Sequence, residues 1–539
     1  MALLLKNARI QTFDAQRSAA EAVLIRDGRI AAIGSLEQAE AAGIAGAQVV
    51  DAGRATILPG FIDAHCHLTQ YLWMGADCGP EAAPDIASVR RILREAAVRT
   101  PSPSWVVGSG YLEYKLREGR HPTRIDLDAA VPDRPCVLLH ASLHVCVVNS
   151  RGLEEQGIDE LTPDPPDGSF GRDTDGRLNG ILFEGPMMRL LGVHMNEDLA
   201  RMPGDARIDV VRRSSEYFAA HGITSCVEAN VGLRSFEVLR SADEAGALKV
   251  RVAGMVDDSQ IDEMPAGPYP HVLSPMLRLN GIKVFADGGM SSRTAAISGE
   301  YPVPPYGSGV MWHSAQSLRS LVAAADRRGM QVAVHAQGDR AIATTLDAFA
   351  PVIGDGGNNL RRHRIEHAGA IFGKLIDRAA QLHVVVASQP GFLSALGDGF
   401  AEAFPADRDR LYPFRSLRRA GMTVAGSSDA PVIAPSVLTG LRDAAMRQTE
   451  AGVVLGPDER LGVDDALEMY TDGAARAAHW ESEIGSLEVG KWADFVVLAD
   501  DPREVMPADI PQIPILATVV GGRRTFGSDD FYPLTWQRA

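Results

Sequence analysis

The chain is poor in basic charge: 53 Lys and Arg stand against 69 Asp and Glu, for a formal net charge of -16. Without a basic field to follow a phosphate backbone, a nucleic-acid partner is excluded. Cysteine is scarce as well, with five in 539 residues, scattered and without a C-x-x-C pair. That rules out a disulfide framework and points to reduced thiols in a cytoplasmic protein. No stretch approaches the roughly 18 consecutive apolar residues of a membrane span, and the apolar run in MALLLKNARIQTF is too short for a signal peptide. The expectation is therefore a cytoplasmic chain with no membrane and no nucleic acid among its partners. At this length one average domain is also excluded, and a large barrel with a smaller satellite fits better.

Residues 1–58 contain short strand-like runs with turn punctuation, including EAVLIRDGRIAAIG with its Asp-Gly turn. The same texture returns in IGSLEVGKWADFVVLADD and ILATVVGGRRTF, within 481–539. Neither end has enough strands to bury a core alone, so the two are expected to pair into one small β domain. Between them, residues 59–480 alternate helical patterns with short β-branched runs. Helices DVVRRSSEYFAAHG, SFEVLRSADEAGAL and QSLRSLVAAADRRG lead into ITSCVEAN, KVRVAGMV and MQVAVHAQG, and further pairs bring the total with FIDAHCH to eight strands. Eight strands with crossover helices predict an α/β fold, a (β/α)8 TIM-type barrel. Residues of about 75–205 break the rhythm and are read as an inserted α/β subdomain after the first strand.

In such barrels the chemistry sits at the C-terminal strand ends. The first strand ends in His65 and His67, the fourth carries Lys283, the fifth His335, the sixth His367 and the eighth Asp429. In HCH, alternation puts both imidazoles on one face and Cys66 on the other. Neutral imidazoles with a carboxylate suit Zn2+, with Mn2+ or Fe2+ as alternatives. A lysine ammonium would repel a cation, so Lys283 must shed its charge to join the set. Asp429 can serve both as ligand and as the catalytic base that takes and returns a proton.

The ordered motifs ILPGFIDAHCH, GIKVFADGGMSSRTA, VAVHAQGDRAI, RIEHA, GSSDAPV and SLEVGKWADFVVL resemble the amidohydrolase superfamily. More narrowly, WVVGSGYLEYKL, LDAAVPDRPCVLL and HVCVVNSRGL resemble its YtcJ-like branch, which includes N-substituted formamide deformylases. The resemblance implies a composite β-sandwich from both termini, a metal-containing barrel, and hydrolysis of a C–N bond. It also implies a carboxylated Lys283 bridging two Zn2+ ions, with an unmodified lysine paired with Asp287 or Glu366, and a mononuclear site, as the alternatives. The expected activity is that of an amidohydrolase cleaving an amide, N-formyl or N-acyl, of a small-molecule substrate by metal-activated hydroxide with Asp429 as proton shuttle. A deaminase or cyclic-amide hydrolase on the same scaffold is the nearest alternative, and a non-catalytic scaffold a more distant one. Barrels of this kind often associate, so a homo-oligomer stays open, though no stretch specifies an interface.

Three departures from the branch bear on the substrate: Asp287, Gly288, Gly289 where Asp-Gly-Ser is common, Ser142, Leu143, His144 for Asp-Gly-His, and Val227, Glu228 for His-Asp. His144 is a candidate for polarising the substrate carbonyl, against a capping role in a buried turn. Trp73 and Tyr111 are candidates for an apolar pocket wall and Arg293 for an anionic group, with packing and loop bracing as the plainer readings. Glu184 and Glu228 are expected to be solvated loop carboxylates.

Overall fold

A computed structural model describes residues 2–72, 74–101, 104–192, 202–302, 307–354 and 356–527. Its largest sheet contains eight parallel strands in near-closed order: Phe61–Cys66, Ile223–Val231, Arg251–Asp257, Leu277–Phe285, Gln331–Ala336, Arg364–His367, Val385–Ser388 and Val424–Gly426. These are the eight runs expected from the sequence. Parallel strands in a barrel are covered on both faces, and all nine residues of LRLNGIKVF and all six of QVAVHA are buried, the polar Arg278, Asn280, Lys283, Gln331 and His335 among them. Backbone bonds draw the first and last strand ends together, from Asp429 N to the His65 carbonyl at 2.8 Å and from His67 N to the Ala430 carbonyl at 2.7 Å. The buried Asp63 carboxylate adds to the closure by accepting from His65 N and Ser428 N.

The floor of the barrel is filled by small residues. Ile62, Ala64, Val227, Ala253, Ala333 and Ala387 form one core with Trp480 and the alanines of 474–478. Helices including Gly204–Ala220, Leu233–Glu244, Ala315–Arg327 and Asp339–Ile353 pack outside, turning faces such as Leu318, Val322 and Ala325 toward the strands.

Both chain ends contribute to one six-stranded sheet, ordered Arg523–Gly527, Ile515–Val520, Phe495–Leu498, Thr56–Pro59, Arg9–Gln11, Ala19–Ala20. It shares a core with a four-stranded sheet from residues 2–51, where Leu3, Leu5 and Val23 meet Ile57, Phe495 and Val497. The hairpin Ala22–Arg26/Arg29–Gly34 turns at Asp27 (φ 48°) and Gly28 (φ 79°), the doubly left-handed turn that Asp-Gly favours. A third, six-stranded sheet runs from Ala76–Asp77 to Leu178–Glu184 with helix Ile86–Arg99 against it, inside the segment expected as an insertion. Among the described residues no helix is long and apolar enough to cross a membrane.

Candidate metal centre

The strand ends converge. His65, His67, Lys283, His335, His367 and Asp429 line one pocket, joined by Asn230, Ser142, His144 and an apolar wall that includes Leu143, Phe285, Met188, Leu191 and Val432. About 40 Å³ stays open between these side chains, room for a water or two. The imidazoles form a row, with ring centroids 5.3 Å apart for His67 and His65, 4.9 Å for His65 and His367, and 4.5 Å for His367 and His335. Donor atoms of His65, His367 and Asp429 lie within 4.8 Å of one another. One Asp429 carboxylate oxygen is 3.0 Å from His67 Nε2 and 3.3 Å from His65 Nε2.

Each imidazole commits one nitrogen to the protein. Nδ1–H of His65 donates to the Glu366 carboxylate, that of His67 to the Ala229 carbonyl at 2.7 Å, and that of His367 to Gln389 Oε1 at 2.9 Å. On His335 the other nitrogen does this, Nε2–H donating to the Gly288 carbonyl at 3.1 Å. The remaining nitrogens are turned to the pocket, where those of His65 and His67 share a single Asp429 oxygen, and buried His65 Nε2 makes no well-formed hydrogen bond. A buried acceptor left unpaired is costly unless something occupies it, so the donor set fits a cation. Glu366 is itself held by Arg364 at 2.6 Å, both wholly buried.

Electrostatics favour neutral His67, His335 and His367 beside an ionised Asp429, while His65 is drawn toward its charged form. Burial pushes His367 down to about 3, His335 well below its ordinary value, and His67 down. Against burial and the Lys283 charge, Glu366 and Asp429 raise His65. Burial alone would raise Asp429, but its bonds to His65 and His67 hold it well below the carboxylate range. Burial, which Glu228 also undergoes to reach about 7, lowers the Lys283 amine to about 8. Lys283 Nζ sits 4.2 Å from the Phe285 ring centre and forms no ion pair with a described residue, neither with Asp287 nor with Glu366.

Non-glycine residues with left-handed backbone gather here: Leu143, Glu184, Asn230, His367, Ala368 and Asp429, with φ between 53° and 70°. Such strain persists only where surrounding structure enforces it.

The other sequence candidates divide. His144 reaches the pocket, its Nδ1 2.8 Å from Glu184 Oε2, and Glu184 outweighs burial to raise its pKa. Tyr111 does not line this pocket: it lies wholly buried in the core of the inserted sheet, its hydroxyl 2.9 Å from His121. Arg293 pairs with Glu402 at 2.8 Å, a bracing contact. Trp73 lies outside the described residues. The expectation that Glu184 and Glu228 are solvated is overturned, since both are buried. Glu228 accepts from the backbone of Leu68 and Thr69, and Glu184 from Trp312 Nε1 at 3.1 Å and from Thr294, so turn and loop donors stand in for water. Cys66 packs in the outer core away from the imidazoles, as alternation requires.

Sequence reasoning missed Gln389, Asn230 and the support of His65 by Glu366. Glu366 immediately precedes the recognised ligand His367, a position that could have raised it, whereas Gln389 follows a strand that carries no recognised ligand.

Comparison with known proteins agrees with the geometry. Residues 48–526 match the model of the amidohydrolase family. The chain is 31% identical over 531 residues to an N-substituted formamide deformylase from Arthrobacter pascens, covering 96% of this chain and 97% of that protein. It is 29% identical over 521 residues to a putative amidohydrolase, YtcJ, from Bacillus subtilis (strain 168), covering 93% and 95%. An uncharacterized metal-dependent hydrolase from Pyrococcus horikoshii OT3 superposes with a TM-score of 0.76 at 26% identity, over 94% of this chain and 99% of that one.

Proposed function

The chain belongs to the amidohydrolase family, and from that premise we propose that it is a metal-dependent hydrolase cleaving the amide C–N bond, N-formyl or N-acyl, of a small molecule. The observation that carries this reading is the row of four imidazoles, each with one nitrogen anchored and the other left to the pocket. Together with Asp429 and Lys283 they would hold Zn2+, or Mn2+ or Fe2+, and a row rather than a single ring supports two ions. When bound, such ions polarise a carbonyl and lower the pKa of water.

The chain's own groups supply the rest. With its amine lowered to about 8, Lys283 has a sizeable neutral fraction near neutrality. That neutral nitrogen adds to carbon dioxide, forming an N–C bond and losing one proton, and the resulting carboxylate replaces a repelled cation with a ligand. Asp429, ionised at neutral pH, takes a proton from the attacking water and returns it to the leaving nitrogen as the C–N bond breaks. His144, oriented by Glu184, donates to the carbonyl oxygen of the substrate.

The test combines elemental analysis with turnover of a panel of N-formyl and N-acyl amines by protein supplied with Zn2+ and bicarbonate. About two ions per chain with release of amine and acid is the expected result. Ammonia release from an amino-substituted ring, or a single ring-opened product from a cyclic amide, would replace this reading by its nearest alternatives. Failure to retain metal would overturn it.

A further inference from the structure

His144 and Glu184 come from the inserted sheet, but the groups that hold Glu184 come from the barrel. Glu184 ends the strand Leu178–Glu184 and His144 immediately precedes its partner Val145–Val148, so Glu184 N bonds the His144 carbonyl at 2.8 Å. Glu184 is wholly buried, and three side chains bond its carboxylate. Oε2 takes both Nδ1–H of His144 at 2.8 Å and Nε1–H of Trp312 at 3.1 Å, while Thr294 holds Oε1. Trp312 lies on the segment after the fourth barrel strand, its N–H donating to the Ala286 carbonyl at 2.9 Å and its ring stacked on Phe285 at 5.0 Å and 26°. The barrel side leaves room for the pair: a Cβ at Gly288 would collide with Glu184 Oε1, and one at Gly289 would stand 3.1 Å from His144 Cδ2.

A catalytic imidazole keeps its aim through the group bonded to its other nitrogen, and that group must itself be fixed. Among the described residues, the side chains that fix Glu184, apart from His144, are Thr294 and Trp312. The Thr294 hydroxyl has other duties, lying 2.8 Å from Ser292 Oγ and accepting Gly289 N–H at 3.0 Å. An indole has a single N–H to give, and this one goes to the oxygen that His144 also uses. We infer that Trp312 is a positioning residue: its N–H fixes Glu184, and Glu184 in turn fixes the His144 ring, which stands 4.9 Å from the His335 ring at the pocket. This rests on the amide hydrolysis proposed above, in which His144 donates to the substrate carbonyl. It makes that step depend on a contact between the two parts of the chain, since His144 is carried by the inserted sheet and aimed by the barrel.

The experiment is a double-mutant cycle on the Zn2+-loaded enzyme, with Trp312→Phe, His144→Gln and the pair assayed on the best substrate of the amide panel. Phenylalanine keeps a ring against Phe285 and removes the N–H, and metal content equal to wild type shows an intact centre. Trp312→Phe is expected to lower kcat about ten-fold with little change in KM, and to have no further effect once His144 is replaced. Wild-type kcat in Trp312→Phe overturns the inference. So does an equal loss in both backgrounds, the result of an indole that merely packs, and so does full turnover by His144→Gln. A second readout needs neither metal nor substrate. In metal-free protein labelled with 15N-histidine, the Nδ1–H resonance of His144, assigned by its loss in His144→Gln, is expected to weaken in Trp312→Phe through faster exchange with water. An unchanged resonance overturns the inference. If wild type turns over no amide, the amide reading falls, and the resonance alone decides whether Trp312 holds His144.

Discussion

Among the described residues, the histidine–carboxylate cluster of the inserted sheet and the one at the barrel mouth are both buried, and they differ in one respect. In the inserted sheet, His140 Nε2 lies 2.9 Å from Glu113 and its Nδ1 2.8 Å from Ser142 Oγ, so both ring nitrogens are spoken for. At the barrel mouth, His65, His67, His335 and His367 each anchor one nitrogen and leave the other toward the pocket. The first cluster is complete without a guest and the second is not. What distinguishes a binding site from a structural network is therefore the number of valences left over, not the residue types.

The sharpest way to break this comparison is at the carboxylate of the incomplete cluster. Asp429→Asn keeps the size of the side chain but cannot take a proton, and kcat is expected to fall about 1,000-fold or more. Steady-state kinetics on the best substrate of the panel would show it, and retention of wild-type turnover would remove Asp429 from the mechanism. Next in size, Glu366→Gln changes a residue that does not itself line the pocket but weakens the acceptor that orients His65. Metal affinity, titrated against a competing chelator, is expected to drop about 10- to 100-fold.

The complete cluster should answer differently. Glu113→Gln is expected to cost about 1.5 kcal/mol of stability by denaturant unfolding, with metal content unchanged. Loss of metal in this variant would show that the two clusters are coupled. The smallest effect is on pH dependence. Burial would raise Glu113, but the bond to His140 outweighs it and lowers the carboxyl from its ordinary 4.5 to about 2. Its ionised form thus stabilises the fold above about pH 4.5, and this contribution is lost as pH falls toward 2. Acid unfolding of Glu113→Gln should lack that part of the slope.

Much of this was legible in the residues. Runs such as IKVF and QVAVHA read as parallel strands because short β-branched runs alternate with helical patterns, and a barrel places strand C-termini on one face, so six scattered residues could be brought together on paper. Glu184 and Glu228 were misjudged because burial of a carboxylate depends on donors from distant segments, Thr294 and Trp312 for one and the turn after the first strand for the other. Tyr111 looked like a pocket wall for a related reason: an aromatic at a strand end has two sides to pack on, and only the inserted sheet decided which.

By itself, then, the sequence determined the period of strands and helices and the ligand types at the strand ends, because both follow from local pattern. Only the tertiary structure decided which nitrogen of each imidazole is anchored to the protein and which is turned to the pocket. Hydrogen-bond partners on other strands and loops, from 22 residues away for His367 to 301 for His65, set these orientations, and no local stretch of chain encodes them.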